Sequence, residues 1–267
     1  MNDAHVHEDD IGWTSPPDPV RRALRLKPLL EEPGASSPFI FGLAELPAGA
    51  AVPLHATRQA EVDHILSGRA RVRMAGTVVD LSEGSCVYHP PGSARAIESV
   101  GPEPLRYSYT FATERLGQTI DPTPVAKPAP ASDKTWLSWD ETESWVSVEA
   151  SKGLRIRVKR LMDRGQRREV IAGIGELDPG VHYTRHFHDQ PEIYYIRGGE
   201  GIVYVGDSKH RVRRGSALYI GGGVVHGADS IGREPLAIFY VYGCEIAGHD
   251  VNWTPVEEIY TDVRRTG

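Results

Sequence analysis

Hydrophobic and polar positions along the chain form many short runs rich in Val, Ile and Tyr, separated by turns that contain Gly or Pro. There are 28 glycines and 20 prolines. Short β-prone runs broken by turn residues at regular spacing are typical of an all-β sandwich or barrel. Helical periodicity is weak: its best candidate is Asp18–Leu30, and within it Leu24–Lys27 alternates like a strand. The clearest β-prone runs are Val62–Leu66, Arg71–Met74, Glu192–Ile196, Ile202–Val205, Ala217–Ile220 and Leu236–Tyr242.

The sequence contains an internal repeat. With an offset of 131, Glu45–Tyr109 aligns without a gap to Glu176–Tyr240. The two stretches share 19 identities, whereas ordinary composition would give about four by chance. At an offset of 130, Leu24-Arg25 also matches Leu154-Arg155, so we expect each repeat to begin with a similar strand. Because each unit is more than a hundred residues long, it is a whole domain with its own core.

A proline-rich segment separates the two copies. It contains the sequence DPTPVAKPAPASD, and its prolines favour an extended, semi-rigid connection. We therefore predict an N-terminal domain at residues 1–120, a linker at 121–135 and a C-terminal domain at 136–267.

Composition and charge narrow the class of protein. The 267 residues are 40% hydrophobic and 25% charged, with a net charge of −6, which argues against disorder and against a nucleic-acid partner. No apolar stretch approaches the ~20 residues that span a bilayer, and the acidic N-terminus is unlike a signal peptide. Two cysteines, Cys86 and Cys244, cannot form a disulfide framework, so we expect a soluble, cytoplasmic protein.

His5 and His7 lie near the terminus, where chains are often disordered, and are not counted as ligands.

The second copy carries a constellation of metal-ligating residues. His186, His188 and Glu192 share one parity, so on extended chain their side chains face the same way. His226, after a glycine-rich turn, supplies a third imidazole. Three imidazoles and a carboxylate suit Fe, Mn, Ni, Co or Zn and leave room for water or substrate. Without a metal, such an inward cluster would be costly in an apolar barrel.

These motifs resemble those of the cupin family. The first cupin motif is matched by Gly180, His186, His188, Glu192 and Gly198 or Gly199, and the second by Gly215, Gly223 and His226, with Gly221 in place of the usual proline. The resemblance implies an eight-stranded jelly-roll barrel with the metal inside, and the doubling implies two such barrels in tandem, a bicupin. It does not specify the reaction, because cupins include dioxygenases, decarboxylases, isomerases, lyases, hydrolases and binding proteins.

The first copy keeps the cupin frame but lacks two ligands. His55 and Glu61 stand at ligand positions, whereas Thr57 and Arg95 replace the other two histidines. Since a guanidinium cannot bind a divalent cation, we expect this site to be free of metal. We hypothesise that Arg95 pairs with Glu61 and neutralises the carboxylate. The alternative is that Arg95 binds the carboxylate of a substrate or effector.

Several further residues are candidates for chemistry in the second barrel. Tyr194 shares the parity of Glu192 and is a candidate catalytic base, as in cupin lyases with a similar Glu-x-Tyr placement, although plain barrel lining is the alternative. Tyr240, Tyr242 and His182 are candidates for substrate binding, with a place on the rim equally open for His182. Parity assigns three tyrosines to the outer layer: Tyr183, Tyr195 and Tyr204.

Three functions remain open. The first is a metal enzyme active only in the C-terminal barrel, with one divalent transition metal per chain, Fe(II) favoured, acting as a dioxygenase on O2 and a small organic acid or carbonyl compound. The second is a non-redox lyase, isomerase or decarboxylase in which Tyr194 or a metal-bound water moves a proton. The third is a non-enzymatic bicupin that binds a small ligand. Both a monomer and a homodimer are compatible with the sequence.

Overall fold

The computed structural model describes residues 4–30, 39–74, 76–112, 120–126, 136–138, 145–151, 154–162, 170–243 and 254–256. In these residues the regular structure is β-strand, apart from one short 3₁₀ helix at Glu8–Asp10. The strands of the first half of the chain are β1 Ala4–His7, β2 Arg25–Leu30, β3 Phe39–Leu46, β4 Ala51–Ala56, β5 Ala60–Ser67, β6 Ala70–Met74, β7 Thr77–Leu81, β8 Cys86–His89, β9 Arg95–Ser99, β10 Leu105–Ala112, β11 Thr123–Pro124 and β12 Trp136–Ser138. The strands of the second half are β13 Val146–Ser151, β14 Leu154–Met162, β15 Val170–Leu177, β16 His182–Phe187, β17 Glu192–Gly198, β18 Glu200–Val205, β19 Ser208–Arg213, β20 Ser216–Ile220, β21 His226–Ser230, β22 Leu236–Gly243 and β23 Thr254–Pro255. The all-β prediction is confirmed.

The chain divides into two compact units. We call Glu8–Glu143 the N-terminal barrel, and Met1–His7 with Ser144–Gly267 the C-terminal barrel. The prediction of two tandem barrels is confirmed. None of the described helices is long and apolar enough to span a bilayer.

In the N-terminal barrel two antiparallel sheets enclose an apolar core. The larger sheet has the order β12-β8-β5-β10-β3-β2, and the smaller has the order β11-β4-β9-β6-β7. Alternate residues of each strand face inward, and the side chains of Leu46, Ile65, Leu81 and Leu105 are fully buried among them.

The C-terminal barrel repeats this arrangement. Its larger sheet has the order β1-β20-β17-β22-β15-β14-β13, and its smaller sheet has the order β19-β18-β21-β16-β23. The core lies between the sheets and includes Ile196, Val203, Ile220 and Leu236. The two sheets thus bring β16, β17 and β21, which carry the predicted ligands, to one interior.

The ends of the barrels differ from the predicted domain boundaries in two segments. Strand β1 pairs with β20, with Ala4 opposite Tyr219, and therefore belongs to the C-terminal barrel. Strand β12 pairs with β8, with Trp136 opposite Tyr88, and belongs to the N-terminal barrel. Each short strand covers an edge whose backbone groups would otherwise lack partners. His7 also lies in β1, where its Nε2 contacts the carbonyl of Arg214 at 2.9 Å.

The predicted linker begins inside the N-terminal barrel. Strand β11, Thr123–Pro124, pairs with β4, and the amide of Val125 donates to the carbonyl of Leu54 at 3.1 Å. Strand β23 pairs with β16 in the same way in the C-terminal barrel. Residues 127–135 of the predicted linker, and Cys244, lie outside the described residues.

The strand expected at the start of each repeat is present, but in a different register. The helix candidate at Asp18–Leu30 instead contains strand β2, in which Arg25 pairs with Glu45, and the matching pair in the C-terminal barrel is Arg157 with Glu176. The offset between the initial strands is therefore 132 rather than 130. The initial strands are thus offset by one residue more than the rest of the repeat, whose offset is 131. The match of Leu24-Arg25 to Leu154-Arg155 covers only two residues, which is too short to fix the offset.

Candidate metal centre

Four buried side chains converge inside the C-terminal barrel. His186 lies near the end of β16, His188 just after it, and Glu192 and His226 are the first residues of β17 and β21. All four are at most 2% exposed. The imidazoles of His186, His188 and His226 offer ligand atoms that lie within 4.8 Å of one another. Residues that are 40 positions apart in the chain thus share one small volume.

Backbone contacts fix the orientation of the three rings. Each Nδ1 lies within hydrogen-bond distance of a backbone carbonyl two residues away, at 2.8 Å for His186, 2.7 Å for His188 and 2.8 Å for His226. Since a carbonyl only accepts, Nδ1 carries a proton in each ring, so the neutral form of each ring has its lone pair on Nε2. This is the tautomer in which a histidine binds a metal through Nε2, with its other nitrogen held by an outer partner.

Glu192 completes the cluster. Its Oε2 lies 3.4 Å from Nε2 of His188 and 3.2 Å from Nε2 of His226. Burial alone would raise the pKa of this carboxyl, but the two facing imidazoles outweigh burial and lower it to about 2. Burial, together with neighbouring His226, lowers the pKa of His186 to about 3. At neutral pH the cluster therefore contains a carboxylate and at least one neutral imidazole, the forms that bind metals.

The donor set fits a divalent transition metal. Within the described part of the chain, neither Nε2 of His188 and His226 nor either oxygen of Glu192 makes a well-aligned hydrogen bond. Buried polar atoms that face one another without such bonds are costly, and a cation between them removes that cost. Three imidazole nitrogens and one carboxylate are suitable for Mn, Fe, Co, Ni or Zn.

A tight turn just before His226 contacts the backbone of His188. The loop between β20 and β21 contains Gly223, whose φ of 74° is in the left-handed region and whose amide donates to the carbonyl of His188 at 2.7 Å. A side chain on neighbouring Gly222 would collide with the carbonyl of Asp189. Close backbone approach thus requires glycine at position 222, whereas at Gly221, which stands in place of the usual cupin proline, a Cβ would meet only the side chain of Val224 at 3.4 Å.

Tyrosine rings lie beside the cluster. Tyr194 is buried, and its ring centre lies 6.1 Å from that of His226. Tyr242 stands 4.9 Å from His188 and 5.3 Å from Tyr240, ring centre to ring centre. Tyr240 crosses β15 at Gly173, where a Cβ would collide with its hydroxyl. Burial, and after it the negative charge of Glu192, raises the pKa of Tyr194 well above its usual value.

Of two neighbouring residues on β16, Tyr183 is placed opposite to its prediction, whereas His182 is consistent with the rim position that the sequence left open beside substrate contact. Tyr183, predicted in the outer layer, packs against the core with its ring 5.0 Å from that of His186. His182, a predicted substrate contact, lies on the outer face, where it pairs with Asp229. The register of β16 shifts between Tyr183 and His186, so simple alternation fails there. No signal in the sequence marks this bulge.

Polar contacts hold the side chain of His182 on the outer face of the C-terminal barrel. Asp229 also accepts a hydrogen bond from the hydroxyl of Tyr204 at 2.7 Å, and the guanidinium of Arg185 lies 4.2 Å above the ring of Tyr204. Tyr204 alternates with the core residues Val203 and Val205 and therefore points outward, in agreement with its predicted layer.

Comparisons with known proteins agree with this architecture. Cupin domain matches cover residues 42–111 and 173–242, together more than half of the chain. This chain is a member of the cupin superfamily. It has two cupin domains and is therefore a bicupin.

Among its relatives is the dimethylsulfoniopropionate lyase DddW of Ruegeria pomeroyi, which is 40% identical over 76 residues, or 28% of this chain. The match spans about half, 48%, of the length of the lyase. Oxalate decarboxylase from Lactobacillus farciminis, in a formate complex, has a TM-score of 0.71 at 16% identity and covers 92% of this bicupin and 88% of the decarboxylase. A mutant of oxalate decarboxylase from Bacillus subtilis also has a TM-score of 0.71 at 16% identity, with coverage of 91% and 78%. At this level of identity the decarboxylases show the shared fold.

The N-terminal cupin domain of this bicupin has a different interior. Arg95 forms an ion pair with Glu61, and its Nη2 donates to the hydroxyl of Thr57 at 3.2 Å. His55 keeps the backbone contact of its counterpart, with Nδ1 2.8 Å from the carbonyl of Pro53. In the described ranges, the only group of three or more potential metal ligands is the histidine triad of the C-terminal barrel. The structure thus brings Arg95 to the position that the last imidazole takes in the other barrel.

Proposed function

We propose that the C-terminal barrel is the active site of a metal-dependent lyase that cleaves a small carboxylate with an onium leaving group at its β-carbon. The observation that carries this proposal is the placement of Tyr194, a buried phenol beside His226 on the inward face of β17. The named activity of the relative DddW, a dimethylsulfoniopropionate lyase, supplies the substrate to test first.

The tyrosines around the cluster support an onium substrate. Tyr183 and Tyr194 place aromatic rings beside His186 and His226, and Tyr242 places one beside His188 and Tyr240. The face of an aromatic ring attracts a cation within about 6 Å, and it does so without the desolvation penalty of a buried carboxylate. A sulfonium or quaternary ammonium group can therefore rest on these rings while its carboxylate is directed to the metal ligands.

His186, His188, Glu192 and His226 would hold the cation, which polarises the substrate carboxylate as a Lewis acid. Tyr194 would act as its phenolate, which the positive charge of a bound cation would favour against the effect of burial. That oxygen would remove the proton from the carbon next to the carboxylate. The electron pair of that C–H bond becomes the new C=C bond, and the C–S bond breaks with its electrons on sulfur. With dimethylsulfoniopropionate the products are acrylate, dimethyl sulfide and a proton. The apolar walls of the barrel keep bulk water from the site.

Turnover with and without oxygen tests the reaction class. The metal-loaded protein is incubated with dimethylsulfoniopropionate in aerated and in strictly anaerobic buffer, and dimethyl sulfide and acrylate are measured. We expect equal rates, because the elimination consumes no oxidant. Oxygen uptake in step with substrate loss would instead support the dioxygenase that the sequence favoured, and absence of product under both conditions would overturn the proposed substrate.

A pair of tyrosine variants tests the role of Tyr194. Tyr194→Phe removes only the hydroxyl, and we expect kcat to fall by about 10²–10⁴-fold, the usual contribution of a general base. Tyr195→Phe changes the next residue, on the other face of β17, and should leave kcat within a few-fold. Metal content should be unchanged in both. Equal activity in the two variants would remove Tyr194 from the mechanism.

A further inference from the structure

One edge of the strand that carries His186 is covered by a short segment from far along the chain. Strand β16 lies between β21 and β23 in the smaller sheet of the C-terminal barrel. In β23, Pro255 stands opposite His186, and just after it the amide of Val256 donates to the carbonyl of Arg185 at 3.0 Å. We call residues 254–256 the C-terminal strap. It holds the backbone at a candidate metal ligand and contributes none of the four candidate ligands itself.

The strap is attached where β16 is least regular. Against β21, the register of β16 shifts between Tyr183 and His186. The two residues between them, Thr184 and Arg185, stand opposite Gly227 alone. A bulge of this kind interrupts the ladder of backbone hydrogen bonds and re-aims the side chains beside it. Because Nδ1 of His186 lies 2.8 Å from the carbonyl of Thr184, the direction of this imidazole depends on the backbone of the bulge.

The carbonyl that the strap binds belongs to the bulge itself. Arg185 lies between Thr184, whose carbonyl contacts the imidazole, and His186, which carries it. Without the strap, β16 would be an edge strand whose ladder to β21 is interrupted at this point. Pro255 has no N–H, which suits the outermost strand of a sheet. The strap therefore fixes the bulge from the side that β21 leaves open.

The N-terminal barrel contains the same unit. In β11, Pro124 stands opposite His55, and the amide of Val125 donates to the carbonyl of Leu54 at 3.1 Å. Strand β4 has a matching register shift just before His55. We call residues 123–125 the N-terminal strap, and both straps have the sequence Thr-Pro-Val. Since the unit occurs in a barrel that lacks the histidine triad, it orients the first histidine of each barrel through the backbone alone.

We propose that the C-terminal strap is a positioning element for the metal centre. It holds the bulge of β16 in the conformation that directs Nε2 of His186 toward the other ligands. Partners outside the ligand set that orient a ligating histidine typically change metal affinity by about 10–100-fold. The proposal rests on the metal site of the proposed function but not on the lyase reaction, because its readout is binding of the cation.

Two substitutions at one position test the strap. Val256→Pro removes the donated N–H, whereas Val256→Ala keeps it. Chelator-treated protein is titrated with Co(II), whose visible absorption depends on its coordination geometry. We expect Kd to rise about 10–100-fold and the absorption bands to change in Val256→Pro, with both unchanged in Val256→Ala. Val125→Pro, the same change in the N-terminal strap, should leave Kd and the spectrum as in wild type.

Two shortened chains repeat the test without a new proline. A chain that ends at residue 253 lacks the strap and should show the weakened Co(II) binding, and a chain that ends at residue 257 keeps the strap and should bind as wild type does. Equal Kd values for wild type, Val256→Pro and the chain ending at 253, or an equal loss in Val256→Ala, would overturn the role of the strap. Wild-type protein that binds no Co(II) would overturn the metal site itself and the strap with it.

Discussion

The two barrels show how one frame neutralises the same buried glutamate in two ways. His55 corresponds to His186 and Glu61 to Glu192, in matching strands and with the same backbone contact from each imidazole. In the C-terminal barrel two further imidazoles face the carboxylate, whereas in the N-terminal barrel Arg95 pairs with it directly. A fixed cation on a side chain thus takes the place available to a metal ion. At the ligand positions the two candidate sites differ by the exchange of two residues, Thr57 for His188 and Arg95 for His226.

The same substitution at matching positions gives the largest expected difference between the barrels. His186→Gln removes one of the four ligands, so we expect loss of bound metal and a fall in turnover of at least about 10³-fold, the equivalent of several kcal/mol of lost Lewis acid stabilisation. His55→Gln should leave metal content and turnover within about twofold. Metal analysis and product release measure both. Equal losses in the two variants would contradict the asymmetry.

Removal of the buried carboxylate is expected to lower the free energy of unfolding of the two barrels by different amounts. Glu61→Gln leaves the guanidinium of Arg95 buried without its carboxylate, and we expect a loss of about 3–5 kcal/mol in the free energy of unfolding of the N-terminal barrel. The double variant Glu61→Gln/Arg95→Leu should recover most of this loss.

Glu192→Gln is the matched change in the C-terminal barrel. In metal-free protein it should cost less than Glu61→Gln, because it removes a carboxylate that has no fixed cation beside it. Urea unfolding in the presence of a chelator measures all three variants. A loss below about 1 kcal/mol for Glu61→Gln would show that the ion pair does not hold the barrel together.

Acid should destabilise both barrels of the metal-free protein through their buried histidines. Burial lowers the pKa of His55 and of His186 to about 3, with Arg95 and His226 as the next causes. Because the unfolded chain takes up protons below about pH 6.5, stability is complete above that pH and is lost as pH falls toward 3. The loss is up to about 1.4 kcal/mol per pH unit for each histidine.

The matched variants divide this loss between the barrels. His55→Gln should flatten the pH dependence of the N-terminal barrel, and His186→Gln that of the C-terminal barrel. Unfolding followed from pH 7 to pH 4 measures the slopes. Stability that is constant or rises on acidification would mean that neither imidazole is held neutral in the folded protein.

The smallest effect is expected on the outer face of the C-terminal barrel. His182 is paired with Asp229 and is over a third exposed, so His182→Asn should change stability by about 1 kcal/mol or less and leave KM and kcat essentially unchanged. Tyr183→Phe, at the adjacent inward position, should raise KM for the substrate. A raised KM for His182→Asn with none for Tyr183→Phe would restore the arrangement predicted from parity.

The repeat and the convergence of the four candidate ligands could be predicted because both depend on fixed spacings in the sequence. An offset of 131 aligns whole strands, and His186, His188, Glu192 and His226 lie in two short segments of fixed spacing. The ligand at His188 lies beyond the end of β16, where side-chain direction depends on the turn as much as on alternation.

Other features depend on pairings between distant segments. The bulge that turns Tyr183 inward and His182 outward arises from the pairing of β16 with β21. No residue type within β16 predicts that pairing. Strands β1 and β12 are too short to show a pattern, and their partners lie far away in the chain. Strands β11 and β23 did leave a signal, because Thr-Pro-Val occurs at residues 123–125 and again at 254–256, with the same offset of 131.

The number and location of bound metal ions test the central claim most directly. Protein purified in excess Mn(II) or Fe(II) is desalted, its metal content is measured, and the ion is located by anomalous scattering from a crystal. We expect one ion per chain, bound by His186, His188, Glu192 and His226, with Arg95 on Glu61 in the other barrel. Two ions per chain, or a single ion beside His55 and Glu61, would contradict the account.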